Sequence, residues 1–343
     1  MVAFARILTA LGVLTSALCV SELQADDHQV SHSWHVLPAM PRAVQEIYPA
    51  LHQQRIVVAG GLTPDPAAQW IGVSDETWLF DEASKQWVSG PNLPEPRHHP
   101  LLASYAGGLY AFGGFITRDG GLWHNSVDVL LLPETGEEWQ QVAQMPIPLA
   151  ESLISVYQDR IHLATGRTPH TSKQNSQWRD QTDSNRHFAY SPETGKWQEL
   201  PPTPTARNSA CGVNVNGRWH TIGGRTVNGG NLAVHEVYDF AQQRWSVLPP
   251  LPQAQGGLAC ATVGQTIYVF GGEFFTEGGG VYSDVWAFDL HLQRWQQVST
   301  MPVPRHGLGA VALDQRIYVV GGAAKAGGEE TSNRLSVFTP AQD

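Results

Sequence analysis

Apolar residues in this chain come in short runs that end abruptly at small residues. "IVVAGG" closes at Gly61, "LYAFGG" at Gly114, "WHTIGG" at Gly224, "IYVFGG" at Gly272 and "IYVVGG" at Gly322. "IHLATG", closing at Gly166, has Thr165 in place of the first glycine. Runs of this length bounded by turn residues predict strands. In "MPVPRHGLGAVALDQRIYVVGG", Met301 to Gly322, a second strand precedes the run across the turn "LDQR". After the run most repeats carry an aromatic–Asp turn, as in "LFDEASKQW", "VYDFAQQRW" and "AFDLHLQRW". A tryptophan then opens a segment running into prolines, such as "WSVLPPLP" and "WQQVSTMPVP". These tryptophans stand at 34, 87, 139, 197, 245 and 295, 48 to 58 residues apart.

A period near 50 with paired glycines, an aromatic–Asp turn and a tryptophan resembles the kelch repeat, and the resemblance runs from Ser33 to Pro340. It implies an all-β fold, a β-propeller of four-stranded blades. No repeat can bury both faces of its own small sheet, so each must stack on its neighbours. Six copies predict six blades. The last repeat ends at "RLSVFTP" without a tryptophan strand, while the strand at Trp34 has no strands before it. The N-terminal strand is therefore expected to complete the last blade and close the ring, making residues 26–343 one domain. The glycines belong to the scaffold and the six repeat tryptophans to packing between blades.

Residues 1–25 have a different character. Arg6 is followed by "ILTALGVLTSALCV", which is too short to span a bilayer and has the length of a signal-peptide core. Cleavage is expected after Ala25, giving a periplasmic or secreted protein, and no later segment is long enough for a membrane span. The formal net charge of −10 offers phosphate backbones no long-range attraction, which disfavours nucleic acid. Cys211 and Cys260 fall on equivalent strands of neighbouring repeats, one residue out of phase. The compartment permits a disulfide, but two buried thiols are the expectation. No Cys/His spacing resembles a zinc site.

Strand order places the segment entering each first strand on the same face as the loop after each glycine pair. Counting back 16 residues from each first glycine aligns Val44, Arg97, Leu149, Arg207, Gln255 and Arg305 at that channel mouth. Next come Gln45, His98, Ala150, Asn208, Gly256 and His306, and then Glu46, His99, Glu151, Ser209, Gly257 and Gly307. Arg225 and Glu273 directly follow glycine pairs, and Arg167 follows the equivalent Thr165–Gly166. Any one arginine here can be structural, bound to loop carbonyls or a carboxylate. Five guanidinium groups converging on one mouth instead predict a ligand site for an anion, built from Arg97, Arg167, Arg207, Arg225 and Arg305 with Asn208. Trp70, Trp123 and Trp178 lie in loops on this face, the last within "RTPHTSKQNSQWRDQTDSNR". Each indole can plug its own loop, or the three can offer flat surfaces to a sugar ring. Glu46, His99 and Glu151 occupy matching positions in consecutive blades, yet such strands stand too far apart to share one ion, so no metal is expected.

Two classes of function follow. The first is a small-molecule site for an anionic ligand or saccharide, most naturally a sugar acid. The leader, the six blades and the polar mouth are similar in layout to the N-acetylneuraminate epimerase (sialic acid mutarotase) family. That resemblance implies a cofactor-free isomerase, with an acid at the ring oxygen and a base at the anomeric hydroxyl. Glu151, Glu273, His98 and His306 are the candidates for these catalytic roles. The second class is a protein-interaction scaffold without enzymatic activity, whose protein partner would meet a filled, flat mouth instead of a funnel.

Overall fold

The computed structural model describes residues 1–2, 31–171 and 173–341. The expected leader and its cleavage point at Ala25 therefore lie outside the described residues, except for the first two. Among the described residues, beside smaller two- and three-stranded sheets, the large antiparallel sheets are five of four strands and one of five, which is a four-stranded path with a short extra strand at Gly280–Val281. The first comprises Ala50–His52, Arg55–Ala59, Thr77–Asp81 and Gln86–Ser89. Sheets two to five repeat this up-and-down order along the chain. In the sixth, Gly309–Leu313, Arg316–Val320 and Leu335–Thr339 are joined by Ser33–Leu37, with Trp34 opposite Phe338. The orphan tryptophan strand and the tryptophan-less repeat thus share one sheet. No helix among the described residues is long and apolar enough to cross a membrane.

The core is not a single mass. It consists of separate apolar clusters, each lying between two neighbouring sheets. Val58 and Phe80 of sheet one meet Tyr318 and Val320 of sheet six, and Phe270 and Val285 of sheet five meet Ile317 and Val319 of sheet six. Repeat tryptophans tie these seams with hydrogen bonds as well as area. The indole N–H groups of Trp87, Trp139, Trp245 and Trp295 donate to the carbonyls of Pro38, Pro91, Pro201 and Pro249, each in the preceding proline segment.

The glycine pairs tie the inner ends of the sheets. The second glycine of each pair donates its N–H to a carbonyl of the next sheet: Gly61 to Arg97, Gly114 to Leu149, Gly166 to Arg207, Gly224 to Gln255, Gly272 to Arg305 and Gly322 to Val44. The first glycine must then pass very close to that carbonyl. Gly271 has φ +65°, and a Cβ built on it would sit 2.1 Å from the Arg305 oxygen. Thr165, the one departure in the sequence pattern, holds φ +62° at the same place.

Cys211 and Cys260 form a disulfide, with Cα atoms 5.7 Å apart, across the first strands of sheets four and five. This replaces the expected pair of free thiols. The phase difference of one residue is what lets the two side chains face each other, because neighbouring first strands converge toward the channel. Two histidine pairs also lie in the seams, His162 Nδ1 with His187 Nε2 at 3.0 Å and His220 Nδ1 with His235 Nε2 at 2.9 Å. Burial lowers their pKa values to about 4 for His162 and His220 and about 3 for His187 and His235.

Two outcomes follow. Gly271→Ala should lower stability by about 1–3 kcal/mol, because it strains a left-handed residue against fixed backbone. Thr165→Gly should leave the Tm unchanged or raise it, and equal losses in both variants would contradict the close-approach argument. The buried histidines stay neutral when folded but charge when unfolded below about pH 6.5, so stability is lost as pH falls from there toward 4. At pH 5 each should cost about 2 kcal/mol. Thermal melts between pH 6.5 and 5 should show a steep fall in Tm; a flat profile would mean these groups are not buried.

Candidate functional site

Six residues line up where the first strands enter the channel, and all have positive φ: Glu46 at 58°, His99 at 57°, Glu151 at 51°, Ser209 at 49°, Gly257 at 71° and Gly307 at 56°. Their backbones hydrogen-bond from sheet to sheet. Glu46 N donates to Gly307 O, His99 N to Glu46 O, Ser209 N to Glu151 O, Gly257 N to Ser209 O and Gly307 N to Gly257 O. This shared conformation turns the side chains of Glu46, His99 and Glu151 onto the wall of one cavity of about 640 Å³. Glycine at 307 leaves room for it, since a Cβ there would lie 2.7 Å from Glu46 Oε1. In every sheet the preceding residue pairs with the one after the glycine pair, as Asn208 does with Arg225 and Gly256 with Glu273. That pairing brings Arg167, Arg225 and Glu273 to the same wall.

The expected five-arginine mouth is not what forms. Arg97, Arg207 and Arg305 turn away from the cavity into the seams between sheets. Arg97 donates to Gly113 O and lies 3.3 Å from Asp128 and 3.4 Å from Glu95. Arg207 pairs with Glu236 at 2.6 Å and bonds Thr221. Arg305 is held by the carbonyls of Gly321, Val303 and Val319. These three are scaffold, and the reason is strand alternation: their carbonyls accept the glycine N–H groups, so their side chains lie one layer behind the mouth. Asn208 also stands behind it, accepting from Arg167 Nη2 at 3.3 Å and donating to Asp183 at 2.5 Å.

The two arginines that do reach the cavity are already paired. Arg167 Nε lies 3.0 Å from Glu151, and Arg225 Nη1 lies 2.5 Å from Glu273. The mutual repulsion expected of an unneutralised cluster is therefore absent. The two differ in balance, however. Burial lowers Arg225, but Glu273 and Glu151 more than offset this and raise its pKa. For Arg167, burial and the nearby Arg225 outweigh Glu151 and bring its pKa down to about 10. Arg167 is fully buried, and its Nη1 has no hydrogen-bond acceptor.

The histidines also separate. His98 Nε2 lies 2.8 Å from Leu122 O and must donate to it, which leaves Nδ1 to accept from His99 Nδ1 at 2.7 Å. His99 Nε2 then faces Glu46 Oε2 at 2.8 Å, close enough for a proton between them. His98, packed behind Phe115 and Trp123, is a positioning residue with its pKa lowered by burial to about 3. His98, expected among the catalytic candidates, is thus not among the residues that line the cavity, whereas its neighbour His99 is. Glu46 sits at the centre. Burial pushes its carboxyl up, but His99 and His306 together hold it well below the usual carboxylate range. Burial likewise lowers His306, while Glu46 and Glu273 raise it above the ordinary imidazole value. Glu151 is held down by Arg167 and His99 against its burial, and it also accepts from Ser209 Oγ.

Above this charged floor the walls are aromatic. The loop tryptophans neither plug separate loops nor stand free; they form a chain. The Arg167 guanidinium lies 3.3 Å from the ring centre of Trp178, whose ring meets Trp123 at 4.7 Å, and Trp70 stands 6.4 Å beyond. Trp123 N donates to Ser176 O, so the loops of sheets two and three brace one another. Phe274, Phe275 and Tyr282 complete the opposite side. The sequence reading missed these three, along with the parts played by Glu46 and His99, although Phe274 and Phe275 directly follow Glu273 in a loop already assigned to the mouth.

A family model described as the KLHDC2/KLHL20/DRC7 Kelch-repeats domain matches residues 173–343. Kelch-like protein terF of Aspergillus terreus is 26% identical over 274 residues, covering 76% of this chain and 58% of terF. Kelch repeat and BTB domain-containing protein 12 of Danio rerio is 28% identical over 174 residues, covering 50% of this chain and 27% of that protein. The chain thus spans only part of the length of these relatives. The solved structure of YjhT superposes with a TM-score of 0.74 at 17% identity, covering 89% of this chain and 97% of that one. Kelch repeats on an all-β propeller fold are supported by all of these.

Proposed function

We propose that this chain is a closed six-bladed kelch propeller, exported to an oxidising compartment, whose mouth cavity binds a small sugar acid and interconverts its anomers. The observation that carries this is Arg167: a wholly buried guanidinium on the cavity wall with an N–H that no protein atom accepts. A buried donor without an acceptor is costly, and a ligand carboxylate oxygen beside it removes that cost. Trp178 and Trp123 then offer a surface for the sugar ring. The Cys211–Cys260 disulfide suits an oxidising compartment.

The floor has both parts of the chemistry. The ionised Glu151 can take the proton from the anomeric hydroxyl, and a proton between His99 and Glu46 can pass to the ring oxygen as its C–O bond breaks. Rotation about the exposed carbon–carbon bond and reclosure reverse both transfers, so no cofactor is consumed. Glu273, bound to Arg225, positions Arg225 instead of moving a proton. Protein docking is the second reading, favoured by the exposed Trp70 and Phe275 at the rim, which are 54% and 65% accessible.

A thermal-shift screen should find sugar acids that stabilise the protein while neutral hexoses do not. Arg167→Ala should abolish that shift, whereas Arg305→Ala should lower the starting Tm and keep it. NMR exchange spectroscopy on a bound sugar acid should then show faster anomer exchange than in buffer, with Glu151→Gln losing at least about 100-fold of the acceleration. No stabilising sugar acid, or a shift indifferent to Arg167, would leave the docking surface as the better account.

A further inference from the structure

The base of the cavity holds more carboxylate than sugar binding needs. Glu46, Glu273 and His306 each offer one ligand atom, and these atoms lie within 4.8 Å of one another. His306 Nδ1 is 3.3 Å from Glu46 Oε1 and 3.4 Å from Glu273 Oε2. Charge-assisted N–H···O pairs close to about 2.7–2.9 Å, so these gaps are too wide for that bond. They equal the edge of a tetrahedron whose metal–ligand bonds are about 2.0–2.1 Å. His306 is only 1% exposed, yet its Nδ1 has no hydrogen-bond partner.

The tautomer sharpens the point. His306 Nε2 lies 3.0 Å from Lys325 O and 3.1 Å from Gly327 O, two acceptors, so Nε2 carries the proton. Nδ1 then faces two carboxylates, an arrangement that needs a proton or a metal cation between them. The outer oxygens are already engaged, as a metal site requires. Glu46 Oε2 meets His99 Nε2 at 2.8 Å and Glu273 Oε1 meets Arg225 Nη1 at 2.5 Å, while Gly327 N donates at 2.8 Å to the inward oxygen, Glu273 Oε2.

We infer that Glu46, Glu273 and His306 bind one divalent transition-metal ion, with zinc the best match to a single imidazole and two carboxylates. Both carboxylates lie on the cavity wall, so the fourth position opens toward whatever the cavity takes. This site differs from the Glu46, His99 and Glu151 set in that its three ligand atoms lie within 4.8 Å of one another. Here Gly307 clears the space that lets Glu46 reach across to sheets five and six, since a Cβ there would lie 2.7 Å from Glu46 Oε1. The inference does not depend on the sugar-acid reading.

The full chain, stripped with a chelator and reloaded with zinc chloride, should retain one equivalent of zinc after gel filtration. Its Tm should rise with zinc in the absence of any sugar. His306→Gln should weaken zinc binding at least about 100-fold, and His99→Gln, which among the three ligands pairs with Glu46, by about 10–100-fold. Should either variant fail to fold, wild-type protein loaded with cobalt(II) should show the strong visible bands of a four-coordinate ion. Anomalous diffraction at the zinc edge should place one peak among Glu46, Glu273 and His306. Less than a tenth of an equivalent at saturating zinc, uptake unchanged in folded His306→Gln, cobalt spectra of six-coordinate type, or a peak elsewhere would each overturn the site and leave a protonated His306 bridging the two carboxylates.

Discussion

The hydrogen bond from the second glycine of each repeat to a carbonyl of the next sheet governs the rest of the molecule. It recurs from Gly61–Arg97 round to Gly322–Val44, joining the last sheet to the first. Its geometry demands positive φ and no side chain at the first glycine, which accounts for the paired glycines better than strand ending alone. It also sets the layer behind the mouth. Because Arg97, Arg207 and Arg305 lend their carbonyls to it, their guanidinium groups fall into the seams. Two residues later the chain adopts left-handed geometry, and Glu46, His99 and Glu151 swing inward.

The scaffold is symmetric, but the site is not. Of the six inward positions, two are glycine and one is serine, so the functional side chains crowd toward one side and leave a cavity on the other. Glu46 leans into the space above Gly307 and meets His306 and Glu273, which belong to other sheets. Arg167 and Arg225, arriving from the loops after the glycine pairs, complete an alternating set of charges. A repeat fold can in this way build a specific pocket by varying two or three positions per repeat while the seams stay constant.

Most of the fold was legible because its cause is local and repeated. Glycine pairs, tryptophans and prolines each mark a hydrogen bond or a seam, and the incomplete first and last repeats pointed to the shared sheet of Trp34 and Phe338. The mouth was legible as a list of positions, since the pairing of Asn208 with Arg225 follows from strand order. What the sequence could not show was the partner of each arginine. Asp128 and Glu236 stand at the start of third strands, some 30 residues from Arg97 and Arg207, and neutralise them from within the same sheet. An alignment of the mouth alone therefore counted charges that are already spent. The disulfide was missed for a related reason, because the convergence of first strands is a property of the assembled sheets.

A crystal structure of the protein with a sugar acid tests the central claim most directly, that the asymmetric mouth is a small-molecule site organised around Arg167. The account predicts a ligand carboxylate within hydrogen-bonding distance of Arg167 Nη1, with the sugar ring against Trp178 or Trp123 and its anomeric carbon near Glu151. A ligand bound away from the cavity, or seated with its carboxylate turned from Arg167, would contradict it.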